Sequence, residues 1–292
     1  MEDIDLNEVW HEDIHPVTFI RFDSMKWLNI FLKEGSILFG NAQKWINLED
    51  QRGKRGDCYE GTLCACHTRD RFSIAKSKAY YHADVTQKIK GGITLIKNSQ
   101  HLRLPIYCFY VLKTEDFIPV PGEKNVTRTF LSGEMFTSFN QEMSEEEVAA
   151  LPEEDKPGVM LINNPSAFID RLTEALIAIG VKENELFFDK VKYFEMRNEP
   201  GNVDRIELPL ELYCKDRGYR FQKEGRIVIN TQNKNVLERL KEPLFIGNIE
   251  DIATVDQWYL TRGMQIIHSL VPLGDKKYGP MSEEEINEIL NR

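Results

Sequence analysis

The stretch YRFQKEGRIVINT, residues 219 to 231, places an amide, a carboxylate and two guanidiniums at alternate positions. Its β-formers predict a strand, on which successive side chains point to opposite faces. Arg220, Gln222, Glu224, Arg226 and Val228 then share one face, with Tyr219, Phe221, Lys223, Gly225, Ile227 and Ile229 on the other. A carboxylate on a rigid strand is better placed for catalysis than one on a loop. Glu224 is therefore the residue with the most chemistry to offer. Gln222 is set to hydrogen-bond a substrate or anchor the carboxylate, and Arg226 to pair with it. The plain alternative is a solvated strand face of mixed charge, and a Q-x-E triplet alone does not decide between them.

Two other clusters invite the same question. CYEGTLCACH brings Cys58, Cys64, Cys66 and His67 together. A structural zinc takes four ligands in paired spacings, whereas this spacing is irregular and Cys64 and Cys66 share one face of a strand. No metal is expected, because free cysteine mostly packs as a small hydrophobe. EDQRGKRGDCYEGT, Glu49–Thr62, carries glycines at 53, 56 and 61 and charges of alternating sign. Its glycines favour tight turns over a helix. It reads as a solvated turn, or as a loop whose cations and amides meet an anion. Asp57, Glu60, Glu224 and Asp251 could gather around magnesium in a nuclease, but they lack metal-ligand spacing.

The elements that would position these groups follow from periodicity. PVTFIRF, Pro16–Phe22, alternates as a strand. DSMKWLNIFLKEG follows as a helix, with Asp23 or Ser24 as cap, Trp27, Leu28, Phe31 and Leu32 on one face, and Gly35 ending it. SILFGNAQKW reads as a second strand running into a loop. LRLPIYCFYVL, Leu102–Leu112, is short and almost wholly apolar, as a strand buried on both faces requires. Val159–Ile162 is a strand, and a helix starts at Pro165 after an Asn164 cap. Its inward stripe is Phe168, Leu172, Leu176 and Ile179, and Gly180 closes it. LFFDKVKYFEM, Leu186–Met196, reads as a strand and SEEEINEILNR as a helix capped by serine. Strands and helices without regular alternation predict an α+β fold. The expected arrangement is a mixed central sheet with flanking helices, built from 1–114 and 159–292, with 115–158 an acidic peripheral insertion.

Composition sets outer bounds. The 292 residues are 41% apolar with a net charge of −10, which suits a globular chain and not a general nucleic-acid binder. No apolar run reaches the roughly 18 residues of a membrane span. The acidic start MEDIDLNEVW is unlike a signal peptide. Five cysteines, an odd number, fit a reducing compartment, so a cytoplasmic location is expected. Nothing in the sequence fixes the oligomeric state.

Two resemblances add to this. LYCKDRGYRFQKEGRIVI followed by PLFIGNIEDIATV, together with FLKEGSILFG and RGDCYEG, resembles a group of uncharacterised bacterial and phage proteins with a Q/E-x-E-x-R strand. The pattern of Arg21 in FIRF and Glu224 in QKE also resembles mono-ADP-ribosyltransferases, whose final strand ends in a catalytic glutamate. That resemblance implies NAD as a substrate, with Arg21 on its phosphates. It implies Glu224 at the ribose hydroxyl, facing the oxocarbenium-like cation as nicotinamide leaves. Gln222 would position the acceptor, Tyr80 or Tyr81 in YYHADVTQ would stack on nicotinamide, and Arg226 would stand beside the cofactor. The central Ser-Thr-Ser motif of such transferases is missing.

The competing expectation is a non-catalytic protein-binding factor, such as a phage or bacterial inhibitor of a defence or nucleic-acid enzyme. An acidic surface would steer such a factor toward a basic partner.

Overall fold

The computed structural model describes residues 16–52, 58–131, 144–194, 209–257, 263–269 and 280–290. In chain order it begins with β1 (Pro16–Ser24), α1 (Met25–Glu34), β2 (Ser36–Ile37), α2 (Ala42–Arg52), β3 (Thr62–His67) and α3 (Arg71–Tyr80). β4 (Val85–Ile89), β5 (Ile93–Lys97), β6 (Ile106–Lys113), β7 (Ile118–Pro119), β8 (Val126–Leu131) and α4 (Glu145–Ala149) follow. Next come β9 (Pro157–Ile162), α5 (Pro165–Ala178), β10 (Leu186–Lys190), β11 (Lys192–Phe194), β12 (Cys214–Asp216) and β13 (Glu224–Ile229). The last elements are α6 (Lys234–Arg239), β14 (Leu244–Phe245), β15 (Ala253–Gln257), β16 (Met264–Ser269) and α7 (Glu283–Leu290). Helices and several separate sheets make the fold α+β.

The chain forms two compact units, each from separated segments. The first takes Glu34–Tyr110 and Ala167–Gly247, and the second His15–Lys33, Val111–Ser166 and Asn248–Arg292. In the first unit β13 lies between β10 and β6, antiparallel to both. That central position explains why all six β13 residues are buried. β5 lies between β3 and β4, again antiparallel, while β11 and β12 pair in parallel. Ala42, Ile46, Leu102, Ile106, Tyr213 and Val228 share one apolar core.

In the second unit β9 lies between β1 and β15, and β8 between β16 and β7. Residues 115–158 supply β7 and β8, whose Ile118, Val126 and Leu131 are buried. α7 packs Ile289 with Ile118 and Met281. Ser282 caps α7 reciprocally with Glu285, as its sequence predicts.

Two local expectations need correction. Trp27 does not join the inward stripe of α1. Leu28 and Phe31 fill it, and Trp27 is 58% exposed. The segment after β2 is the helix α2, not a loop. Asn41 Oδ1 accepts the Lys44 amide at 2.9 Å, and Ala42 and Ile46, one turn apart, face the core. The helix reaches Arg52, while Gly53, Lys54, Arg55, Gly56 and Asp57 lie outside the described residues.

Candidate functional site

The run 219–231 is not one strand. Asp216 Oδ1 accepts the Gly218 amide at 3.0 Å and starts a 3-10 turn over Arg217–Gln222. Lys223 then takes a left-handed conformation, φ 41°, which re-aims the chain before β13 begins at Glu224. Arg220 and Gln222 therefore do not share a strand face with Glu224 and Arg226. Period-2 alternation cannot reveal such a break, because a 3-10 turn of polar residues reads equally well as a strand edge.

Past the turn, the charged residues converge. Arg226 sits at the middle of β13, opposite Cys108 of β6 and Asp189 of β10, and is 0% exposed. Its Nε donates to Glu224 Oε1 at 2.7 Å, and its Nη2 to Glu60 Oε2 at 3.0 Å. Nη1 donates to Glu60 Oε1 and to the Leu212 carbonyl. The guanidinium also lies 5.5 Å from the centre of the Trp45 ring. Lys215 Nζ donates to Glu224 Oε2 and to Gln222 Oε1, each at 2.7 Å, and stands 4.0 Å from Glu60. Gln222 thus meets Glu224 through Lys215 and not through a shared strand face.

Two carboxylates and two cations form a buried quartet whose formal charges cancel. Buried ions survive only when paired and hydrogen-bonded, because desolvating each one alone is costly. Burial pushes the Glu224 carboxyl up, but the Arg226 and Lys215 charges more than offset this and hold it below the usual carboxylate range. The Tyr193 hydroxyl accepts the Glu224 amide at 3.0 Å. Burial, reinforced by the Glu224 charge, keeps that hydroxyl well above its ordinary pKa.

Sequence reasoning missed Lys215, and it placed Glu60 with Glu224 only as a magnesium candidate. Glu60 was grouped with a solvated loop, yet it precedes Gly61, whose φ of 63° turns the chain into the buried strand β3. A charge at the edge of an apolar run, as in EGTLCAC and LYCKD, is the signal that marks both.

Of the remaining expected site residues, Arg21 belongs to the second unit. There its Nη2 lies 3.4 Å from Asp23 Oδ2 and its guanidinium 5.8 Å from the Phe31 ring centre. Tyr81 is in the first unit, buried, with its ring edge-on to Tyr80 at 4.8 Å. It lines an open cleft of about 550 Å³ between β3 and α3, together with Cys64, Cys66, His67 and Ser77. Glu224, Gln222 and Arg226 do not line that cleft.

No family model, no curated protein and no solved structure matches this chain. Its chemistry has to be read from its own side chains.

α3 has an unusual distribution of residues. Asp70 caps it, accepting from the Ser73 amide at 2.9 Å and hydroxyl at 2.6 Å. Phe72, Ala75, Lys76, Ala79 and Tyr80 are exposed, while Ser73, Ile74, Ser77 and Lys78 are half-buried. Phe72 is 78% exposed and Tyr80 63%. A surface helix normally turns its apolar stripe inward; α3 turns serines in and aromatics out. Among the described residues, no group of three or more His, Cys, Asp or Glu side chains is arranged to hold a metal ion. No helix among them is long and apolar enough to cross a membrane.

Proposed function

We propose that the chain is a non-catalytic protein-binding factor that docks through the outward face of α3. The observation that carries this reading is the exposed stripe Phe72, Ala75, Ala79 and Tyr80, spaced i, i+3, i+7 and i+8. Helices that insert into a partner's groove present anchors at such spacing. Aromatic anchors dominate interface energies, and the small alanines between them permit close approach. Along residues 69–80 the charges are Arg69, Arg71, Lys76 and Lys78 against Asp70. The occupant is therefore a protein with an apolar groove rimmed by carboxylates. The local charge is opposite in sign to the whole chain, so the basic partner expected from net charge does not suit this face.

An NAD-dependent transferase needs a glutamate open to the ribose. Glu224 has one oxygen held by Arg226 and the other by Lys215, inside a buried quartet. That burial and double pairing are why the binding reading is preferred.

The test compares wild type with a Phe72→Ser, Tyr80→Ser double variant as bait. The binding reading expects an acidic protein held by wild type and lost by the variant. Once purified, that protein should rebind directly, with affinity falling as salt rises. Equal retention by both baits would overturn it.

A further inference from the structure

The cleft between β3 and α3, whose rim includes Tyr80 and Lys76, contains a pair of thiols that the docking face does not use. Cys64 Sγ and Cys66 Sγ lie 3.5 Å apart on one face of β3, and both line the cleft. Ser77 Oγ, from α3, stands 3.6 Å from Cys64 Sγ and 4.0 Å from Cys66 Sγ. We propose that Cys64 and Cys66 form a dithiol site for one trivalent thiophilic centre, of the arsenic(III) or antimony(III) class, with Ser77 at its open side.

Geometry separates this ligand from its rivals. Thiolate bonds to such a centre are taken as about 2.3 Å, the length of a zinc–thiolate bond. Two such bonds spanning 3.5 Å enclose about 100°, the angle of a pyramidal trivalent centre. A linear two-coordinate copper(I) would need the sulfurs about 4.6 Å apart, twice that bond length. Zinc would need further Cys, His, Asp or Glu ligands, which no cluster among the described residues provides.

A direct disulfide fits less well. Residues i and i+2 of a strand have Cα atoms roughly 6.6 Å apart, at the far end of what a disulfide spans. β3 is also held to β5 in register, Cys64 opposite Ile96 and Cys66 opposite Thr94, which resists the buckling that closure would require. A single bridging atom needs no such movement. The cleft, about 550 Å³, is of the size that admits a small organic ligand.

The chemistry balances without an oxidant. A trivalent arsenical carrying one arsenic–oxygen double bond loses that oxygen, two S–H bonds break, and two S–As bonds form. The two protons leave with the oxygen as one water, and arsenic stays trivalent. Burial, with a smaller contribution from Cys66, pushes the Cys64 thiol up to about 12 even though Ser77 lowers it. Cys64 alone is therefore a poor nucleophile, and the second sulfur makes a bidentate reagent selective.

The experiment treats the full chain, fully reduced and native, with one equivalent of phenylarsine oxide. Intact mass and peptide mapping follow, and each of the five cysteines is replaced by alanine in turn. The expected result is one adduct, heavier by the arsenical less one water, bridging the peptide of Cys64 and Cys66. It should raise Tm and be stripped by excess small dithiol. Cys64→Ala or Cys66→Ala should weaken binding at least tenfold, while alanine at Cys58, Cys108 or Cys214 leaves it unchanged. Mapping on wild type keeps the test decisive where a variant fails to fold. An adduct on other cysteines, or no adduct on native wild type, would overturn the proposal. So would tighter retention of copper(I) than of the arsenical.

Discussion

Arg226 and Glu60 are 166 positions apart in the chain and meet as a two-pronged ion pair inside the first unit. Arg226 Nη1 and Nη2 each donate to one Glu60 oxygen, while Nε turns to Glu224. A guanidinium is the side chain whose rigid fork can face two carboxylates at once. The pair ties the turn before β3 to the central strand β13, so its first consequence is for stability.

Replacing Arg226 with alanine strands two carboxylates with only Lys215 between them. Breaking a buried pair in this way should cost about 3–5 kcal/mol, read as a lower urea midpoint at unchanged slope. Arg226→Lys should recover little, since an ammonium is a point charge and cannot span both partners. A loss within about 0.5 kcal/mol, the range of ordinary surface substitutions, would mean the quartet is not holding the unit together.

The same quartet sets an acid limit. The folded-state pKa of Glu224 is depressed, so its contribution is fully present above the unfolded value of about 4.3 and is lost as pH falls through the folded one. Unfolding free energy should therefore decline below about pH 4.3. In Glu224→Gln that slope should be shallower by up to about 1.4 kcal/mol per pH unit. Urea titrations at several acidic pH values measure it. Parallel curves for the two proteins would contradict it.

Gly61 offers a backbone test. At φ 63° an alanine adopts an unfavoured conformation, and its Cβ would meet the Leu102 side chain. Gly61→Ala should destabilise by about 2 kcal/mol. Gly91→Ala, at φ 89° with open space around it, isolates the conformational part and should cost less. Equal losses would mean that Leu102 gives way freely.

In the second unit, Glu285 accepts the Ser282 amide at 2.9 Å and also pairs with Arg128, which lowers its pKa to about 2. Its contribution is present above the unfolded value of about 4.3 and lost as pH falls through about 2. Protection factors of the α7 amides, which correct for the intrinsic slowing of exchange in acid, should fall over that window in wild type, and in Glu285→Gln they should already be low at neutral pH. Unchanged protection in the variant would show that apolar packing alone docks the helix.

The legible parts of the sequence were those with one local cause. Pro165 opens α5, Phe168, Leu172 and Leu176 fill its inward face, and Gly180 ends it at φ 97°. Gly35 does the same for α1 at φ 62°. The apolar run of β6 reads as a strand buried on both faces, and it is one. The illegible parts depend on distant partners. Nothing within ten residues of Arg226 announces Glu60, and nothing near α3 explains why its serines face inward. The sequence singles out Glu224 and offers Arg226 as its ion-pair partner, and the two do pair. What alternation missed was the left-handed Lys223, which removes Gln222 from the strand and leaves it on Lys215.

We propose that Glu224 serves to hold the first unit together rather than to act on NAD. The most direct measurement pairs nicotinamide release from labelled NAD with the urea midpoint, for wild type and Glu224→Gln. A structural Glu224 gives no release from either protein and a stability loss of about 3 kcal/mol or more in the variant. Release by wild type that vanishes in Glu224→Gln at an unchanged midpoint would contradict the claim and make Glu224 catalytic.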